Sequence, residues 1–183
     1  MHTTTSVHYQ VENTTVEDLP EIYSFFEAAI AYIRLNNYVG WETYDKNFIE
    51  HDMKNKLQFK VVSNGTMLCV FSICFSDELI WRERENHEAV YLHRIVVNPA
   101  CKGQKQFQKI LHWIIYQAGR KGLKYVRMDT WAQNKEIVQY YESFGFGFIE
   151  NYTTPDTPDL PKQHRNLMVS LLELPLNNST SSI

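Results

Sequence analysis

Between Phe59 and Val97 three β-rich runs follow one another before any crossover helix, and this order restricts the fold more than any other feature of the chain. Phe59 to Val62 and Met67 to Phe75 flank Asn64-Gly65. That dipeptide favours a two-residue hairpin because both positions tolerate positive φ. Ala89 to Val97, AVYLHRIVV, is the third run, and Asn98-Pro99 ends it. Only then does a long helical repeat begin, from about Gly103, with Phe107, Ile110, Leu111, Ile114, Ile115 and Ala118 on one face and Gly122 as its stop. Lys124 to Thr130 reads as a fourth major strand, Lys135 to Phe144 as a helix ended by Gly145. Phe146 to Tyr152 and Leu167 to Leu174 read as closing strands joined by a proline-rich loop from Thr154 to Pro161. Three strands ahead of the first βαβ unit do not suit a doubly wound sheet. They suit an α+β fold on a mixed sheet with an antiparallel N-terminal half.

Upstream, Val7 to Val11 alternates weakly and is predicted to open the sheet. Thr15-Val16-Glu17-Asp18 has the form of a capping box with Asp18 in the acidic position. Leu19, Ile22, Tyr23, Phe26, Ala29, Ile30 and Ile33 then recur at helical spacing, which predicts a helix to about Leu35. Asn36-Asn37 and Gly40 break it, and a shorter helix or irregular segment covers Tyr44 to Lys56. Trp81 to Asn86 is charged and reads as a loop. The expected order is β-α-α-β-β-β-α-β-α-β-β: a mostly antiparallel sheet of six to seven strands with about four helices. At 183 residues one domain is expected, over 1–176, with a disordered Asn/Ser-rich tail at 177–183.

A formal net charge of −3 does not suit a general nucleic-acid binder, which needs clustered positive charge. The three cysteines, Cys69, Cys74 and Cys101, form no C-x-x-C pair, so no zinc or other metal site and no redox motif is indicated. Reduced thiols in the cytoplasm are the simple reading. MHTTTSVHYQ lacks the charged start and apolar run of a signal peptide, and no segment has the ~20 apolar residues of a membrane span.

Two stretches carry chemistry. Cys101-Lys102-Gly103-Gln104-Lys105-Gln106 is a basic loop opening the helix of Phe107. A helix N-terminus has unpaired N–H groups and a partial positive charge, so it suits a phosphate. A solvated turn before an ordinary helix is the plainer alternative. The second stretch, Asp129 to Phe146, reads as strand end, polar loop, capped helix and glycine stop. Together they resemble the GNAT N-acetyltransferases. That family's "D-T-x-x-x-N-x-x-x-x-x-x-Y-E-x-x-G-F" is matched by Asp129, Thr130, Asn134, Tyr141, Glu142, Gly145 and Phe146. Its loop pattern, [Q/R]-x-x-G-x-[G/A], meets Lys102, Lys105 and Phe107, with Gly103 and Gln104 between the first two and Gln106 between the last two. Lys102 is a conservative change, whereas Lys105 and Phe107 replace small residues.

The resemblance implies acetyl-CoA as cosubstrate, with its pyrophosphate on the loop 102–107 and Asn134 near its arm. It implies that Tyr141 donates a proton to the departing thiolate. It implies a bulge in the strand 89–97 whose amides, near Ile95, Val96 and Val97, meet the thioester and pantetheine. His93 or a bound water is the candidate base; a neutral imidazole can accept a proton at cellular pH. In a regular strand Tyr91, His93 and Ile95 share one face, and Leu92, Arg94 and Val96 the other. Tyr32, Asn36, Trp41 and Tyr91 are the candidates for the acceptor pocket. The acceptor is an amine of a small molecule or peptide, and the family's frequent dimers admit a homodimer. Purely structural readings compete at each point: Asn134 as a helix cap, Tyr141 as a core aromatic, His93 as a buried strand histidine. The second function is a non-catalytic GNAT-like binding or regulatory module whose loop no longer grips the coenzyme.

Overall fold

The structure, a computed structural model, describes residues 8–176. Val7 and the tail expected at 177–183 lie outside the described residues. The elements run β1 (Gln10–Asn13), α1 (Leu19–Leu35), α2 (Lys46–Lys54), β2 (Gln58–Ser63), β3 (Thr66–Cys74), α3 (Glu78–Trp81), β4 (Ala89–Val97), α4 (Gln106–Arg120), β5 (Tyr125–Trp131), α5 (Lys135–Glu142), β6 (Gly147–Thr153) and β7 (Met168–Pro175). This is the expected order with one helix added. The segment read as a charged loop begins instead in the single turn α3, which buries Ile80 and Trp81. The charges around it pointed to solvent, but Trp81 packs on Tyr91 beneath it. No helix among the described residues is long and apolar enough to cross a membrane.

One seven-stranded sheet runs in the order β1-β2-β3-β4-β5-β7-β6. Only β4 and β5 are parallel, as a crossover through α4 requires. The β2–β3 hairpin turns on Asn64 and Gly65, at φ 49° and 76°, as a primed turn needs. Helices cover both faces. Ile22, Phe25 and Phe26 of α1 pack on Met67, Val70 and Val96. Phe107, Ile110, Leu111 and Ile114 of α4 pack on Phe71, Leu92 and Val126 from the other side. The start of α1 is tied to β2: Asp18, whose carboxylate also accepts from the Thr15 amide at 2.8 Å, takes the Lys60 ammonium at 2.8 Å.

Strand β4 is not regular. Val96 pairs with Val70 and His93 with Ser72, so three steps of β4 oppose two of β3. The extra residue makes a bulge, and Arg94 takes φ 51° there. A one-residue insertion reverses the alternation of side chains beyond it. Ile95 and Val97 therefore join the α4 side with Val90 and Leu92, while Val96 lies on the α1 side. The regular alternation expected for Tyr91, His93 and Ile95 does not survive the bulge. Arg94 leaves the sheet toward α2 and binds Asp52 through Nε (3.0 Å) and Nη2.

This ion pair is nearly buried on both sides, so removing one partner strands a charge. Asp52→Ala is expected to lower stability by about 3 kcal/mol, read by urea unfolding. A loss within the ~0.5 kcal/mol of an ordinary surface change would separate the bulge from α2.

Candidate active site

Strands β4 and β5 pair from Ala89↔Tyr125 to Leu92↔Met128 and then part. Beyond that point β4 stays on β3, and β5 stays on β7 up to Trp131↔Val169. Their facing edges enclose a wedge with no strand between them. Two cavities open there. The first, about 450 Å³, lies between α1, the wedge and the tryptophans Trp41 and Trp131. The second, about 670 Å³, lies between the loop before α4 and the end of α5. Ile95, Val97, Lys102 and Tyr141 line both.

The loop places the α4 N-terminus on the second cavity. Lys105 caps the helix in the left-handed region at φ 55°, two residues after Gly103 at φ 75°. An ordinary residue there costs roughly 1–2 kcal/mol, which glycine avoids. Lys105 therefore stands where the family pattern has glycine, in a conformation suited to glycine. Neighbours brace it: Gln106 Nε2 donates to Cys101 O (3.1 Å), and Lys109 donates to Gln104 O (2.7 Å) and to Gln106 Oε1 (3.0 Å). Phe107 is buried, its ring edge-on to Tyr141 and Phe144 with both centroids at 4.9 Å. The Lys102 ammonium sits 3.2 Å from the centroid of the Tyr32 ring, linking the loop to α1.

Tyr141, on the last turn of α5, is held between these cavities with 8% of its surface exposed. Burial raises its hydroxyl pKa, with smaller contributions from Tyr140 and Asp129, so it keeps its proton at neutral pH. Opposite, the wedge ends in a buried cluster. His93 Nε2 lies 3.5 Å from Asp77 Oδ2 and 3.3 Å from Cys74 Sγ; its Nδ1 lies 3.9 Å from Asp129 Oδ1. Among the described residues, Asp77, His93 and Asp129 are the group with metal-ligand chemistry at close quarters. Burial, then the charges of Asp129 and Glu85, push Asp77 up to about 8. Burial also raises Asp129, and it drives His93 well below its usual range, helped by Arg94 and His164. His164, from the β6–β7 loop, lines the first cavity and is lowered by burial too. The site is thus a low-dielectric cleft with a neutral imidazole between two carboxyl groups.

A sequence model of the acetyltransferase (GNAT) family matches residues 42–146, more than half of the chain. The chain belongs to the GNAT family. No curated protein sequence matches it. Solved GNAT structures share the fold at low identity. One from Listeria monocytogenes has a TM-score of 0.75 at 16% identity, covering 96% of this chain and 99% of the other. One from Streptococcus agalactiae has 0.73 at 18%, covering 92% and 96%. A putative acetyltransferase from Salmonella typhimurium, solved with its cofactor acetyl-CoA, has 0.63 at 16%, covering 96% and 98%.

Within this GNAT chain the residues singled out from sequence separate into two sets. Tyr32, Trp41, His93, Ile95, Val96, Val97, Lys102 and Tyr141 line the first cavity; Gly103, Lys105, Gln106 and Phe107 line the second. Gln104 contributes a braced carbonyl without lining either. Asn36 bonds back to Tyr32 O of its own helix (2.8 Å) and leaves the pocket. Tyr91 is wholly buried under α3, accepting from Arg127 at 3.1 Å. Asn134 caps α5 through Ile137 N (3.2 Å) and reaches Val39 O at 3.1 Å, so it pins the α1–α2 connection. Asp77, Cys74, Trp131 and His164 were not singled out for the site. Asp77 and His164 sit in turns remote in sequence from His93, and only the fold gathers them.

Two outcomes test this geometry. Lys105→Gly relieves the left-handed cap and is expected to add about 1 kcal/mol of stability by urea unfolding; a loss would mean the lysine side chain holds the loop. Asp77 binds a proton more tightly folded than unfolded, so its contribution to stability falls as pH rises from about 4 to about 8, by at most about 1.4 kcal/mol per unit. Asp77→Asn should therefore gain on the native chain between pH 5 and pH 8. Parallel stability–pH curves would show that Asp77 ionises normally.

Proposed function

We propose that this GNAT chain transfers the acetyl group of acetyl-CoA directly to the nitrogen of an amine. The observation that carries the reading is that two cavities meet at one tyrosine, in a wedge between parted strands. The second cavity, at the α4 N-terminus with Lys102, Lys105 and Lys109 near it, suits the coenzyme's phosphates. The bulged edge of β4 at Ile95 to Val97 suits the thioester end, and fixed donors facing a developing oxyanion are often the largest catalytic contribution. The first cavity then receives the amine.

An alkyl ammonium has a pKa near 10.4, so only about one molecule in 2,500 is free base at pH 7. Removing that proton costs roughly 4.6 kcal/mol without help. His93, neutral and bordering this cavity, is the acceptor of that proton, directly or through a water. The nitrogen forms its bond to the thioester carbonyl carbon, and the C–S bond breaks. As the C–S bond breaks the nitrogen sheds its second proton to water, Tyr141 gives its proton to the leaving sulfur and recovers one from solvent, and His93 releases its proton to solvent. The non-catalytic alternative drew on Lys105 and Phe107. Lys105 keeps a glycine-like backbone and Phe107 packs its ring against the core, which supports a loop that still presents its amides to the second cavity.

Calorimetry with acetyl-CoA separates the two: micromolar binding is expected, and no binding at millimolar coenzyme would leave only the non-catalytic module. Tyr141→Phe should lower kcat by about 10²-fold or more while the acetyl-CoA Kd moves less than about threefold. An unchanged kcat would remove Tyr141 from the mechanism.

A further inference from the structure

The first cavity has a composition that selects among amines. Its walls from α1, the α1–α2 connection and the strands are Ala28, Ala29, Ile33, Trp41, Val96 and Trp131, all without charge. Trp41 and Trp131 meet edge to face at 5.5 Å and 70°, and Phe26 backs Trp41 at 5.3 Å. This is a preformed aromatic corner, and the two alanines of α1 leave room facing it. Charge is confined. Asp129 is the one carboxylate among the described lining residues, at the inner end beside His93 and His164. The two cations on the lining, Arg94 and Lys102, are engaged by Asp52 and by the Tyr32 ring.

We propose that the acceptor is a small primary monoamine with an aromatic body, its nitrogen toward Asp129 and His93 and its ring against Trp41 and Trp131. The inference rests on the acetyl-transfer reading and adds the substrate class to it. One ammonium finds one carboxylate. A second ammonium, as in a polyamine, would lie in apolar surroundings near Arg94 and Lys102, and its desolvation would go uncompensated. The hydroxyls of an aminoglycoside meet the same objection. A peptide must also satisfy backbone N–H and C=O groups beside its amine. The side chains of Ala28, Ala29, Ile33 and Val96 supply no partners for them, and the Lys102–Tyr32 contact joins the loop to α1 at one wall. The volume, about 450 Å³, must hold the thioester end as well, which leaves space for one ring and a short chain.

The test is a kcat/KM panel on the full chain with acetyl-CoA: 2-phenylethylamine, ethylamine, spermidine, kanamycin and a lysine-containing peptide. Phenylethylamine is expected to exceed ethylamine by about 100-fold, from burial of its ring, and to exceed the other three. A higher value for spermidine, kanamycin or the peptide overturns the proposal. Trp131→Ala should reduce the phenylethylamine value by at least about tenfold more than the ethylamine value, with Trp131→Phe restoring part of it. Equal losses on both amines would overturn the ring contact. Acetyl-CoA calorimetry on each variant shows whether the coenzyme site remains intact. Tryptophan fluorescence titration with phenylethylamine, with and without coenzyme A, reads the cavity independently of turnover. If acetyl-CoA fails to bind, the acetyl-transfer reading falls. Saturable phenylethylamine binding lost in Trp131→Ala then still supports the site, and no binding refutes it.

Discussion

The candidate site depends on two parallel strands ceasing to pair. A strand edge that loses its neighbour leaves N–H and C=O groups without partners, and in a protein interior that costs roughly 1–3 kcal/mol per group unless water or a ligand meets them. Here β4 and β5 part after Leu92 and Met128, yet each keeps its outer neighbour. The sheet is therefore continuous around the wedge, and the two inner edges are held open. The bulge at Arg94 and Ile95 lies just beyond the last β4–β5 pair, where a bulged strand bends, and the Arg94–Asp52 pair anchors it to α2. The cavities on either side of Tyr141 follow from this parting.

Much of the frame was legible in sequence because local signals agreed with the final fold. The bounds of β4, the Asn64-Gly65 turn, the reach of α1 to Leu35 and the placing of one crossover helix between β4 and β5 all came from period, turn residues and breakers. The bulge was not legible from strand periodicity. Its register depends on how β3 meets β4, and its side-chain anchor lies forty-two positions away in Asp52. Arg94 carries no local mark of a left-handed backbone. The short helix α3 was missed for a related reason: four residues make no period, and the buried Trp81 is surrounded by charges that read as solvent. Asn134 shows the opposite case. Its identity fits a family position and also a helix cap, and the structure gives it capping partners without placing it on a cavity wall.

The loop shows that residue type and backbone conformation can part company. Read as letters, Lys105 and Phe107 break the pattern in two of its defining places. Read as geometry, Lys105 accepts the left-handed strain and Phe107 extends the core toward Tyr141, Phe144 and Phe146. A bulky ring at that point fixes α4 against α5 and so positions the tyrosine between the cavities. The departure thus becomes a packing contact within the site.

The buried acids acquire meaning when protons are counted. Two carboxyl groups that flank one imidazole in a low-dielectric pocket do not readily ionise together, because each adds to the other's cost. Asp77 keeps its proton at neutral pH, since burial and the charges of Asp129 and Glu85 all act in that direction. A protonated Asp77 cannot take the acceptor's proton, and the proposed reaction gives that task to His93. Asp129 can then carry the negative charge that a protonated His93 needs beside it, at 3.9 Å from Nδ1. The same charge raises the Tyr141 hydroxyl pKa and keeps its proton in place. In the proposed reaction one carboxylate therefore favours proton arrival at the base and resists early proton loss from the acid. Placing it at the parting of β4 and β5 serves both ends of the transfer.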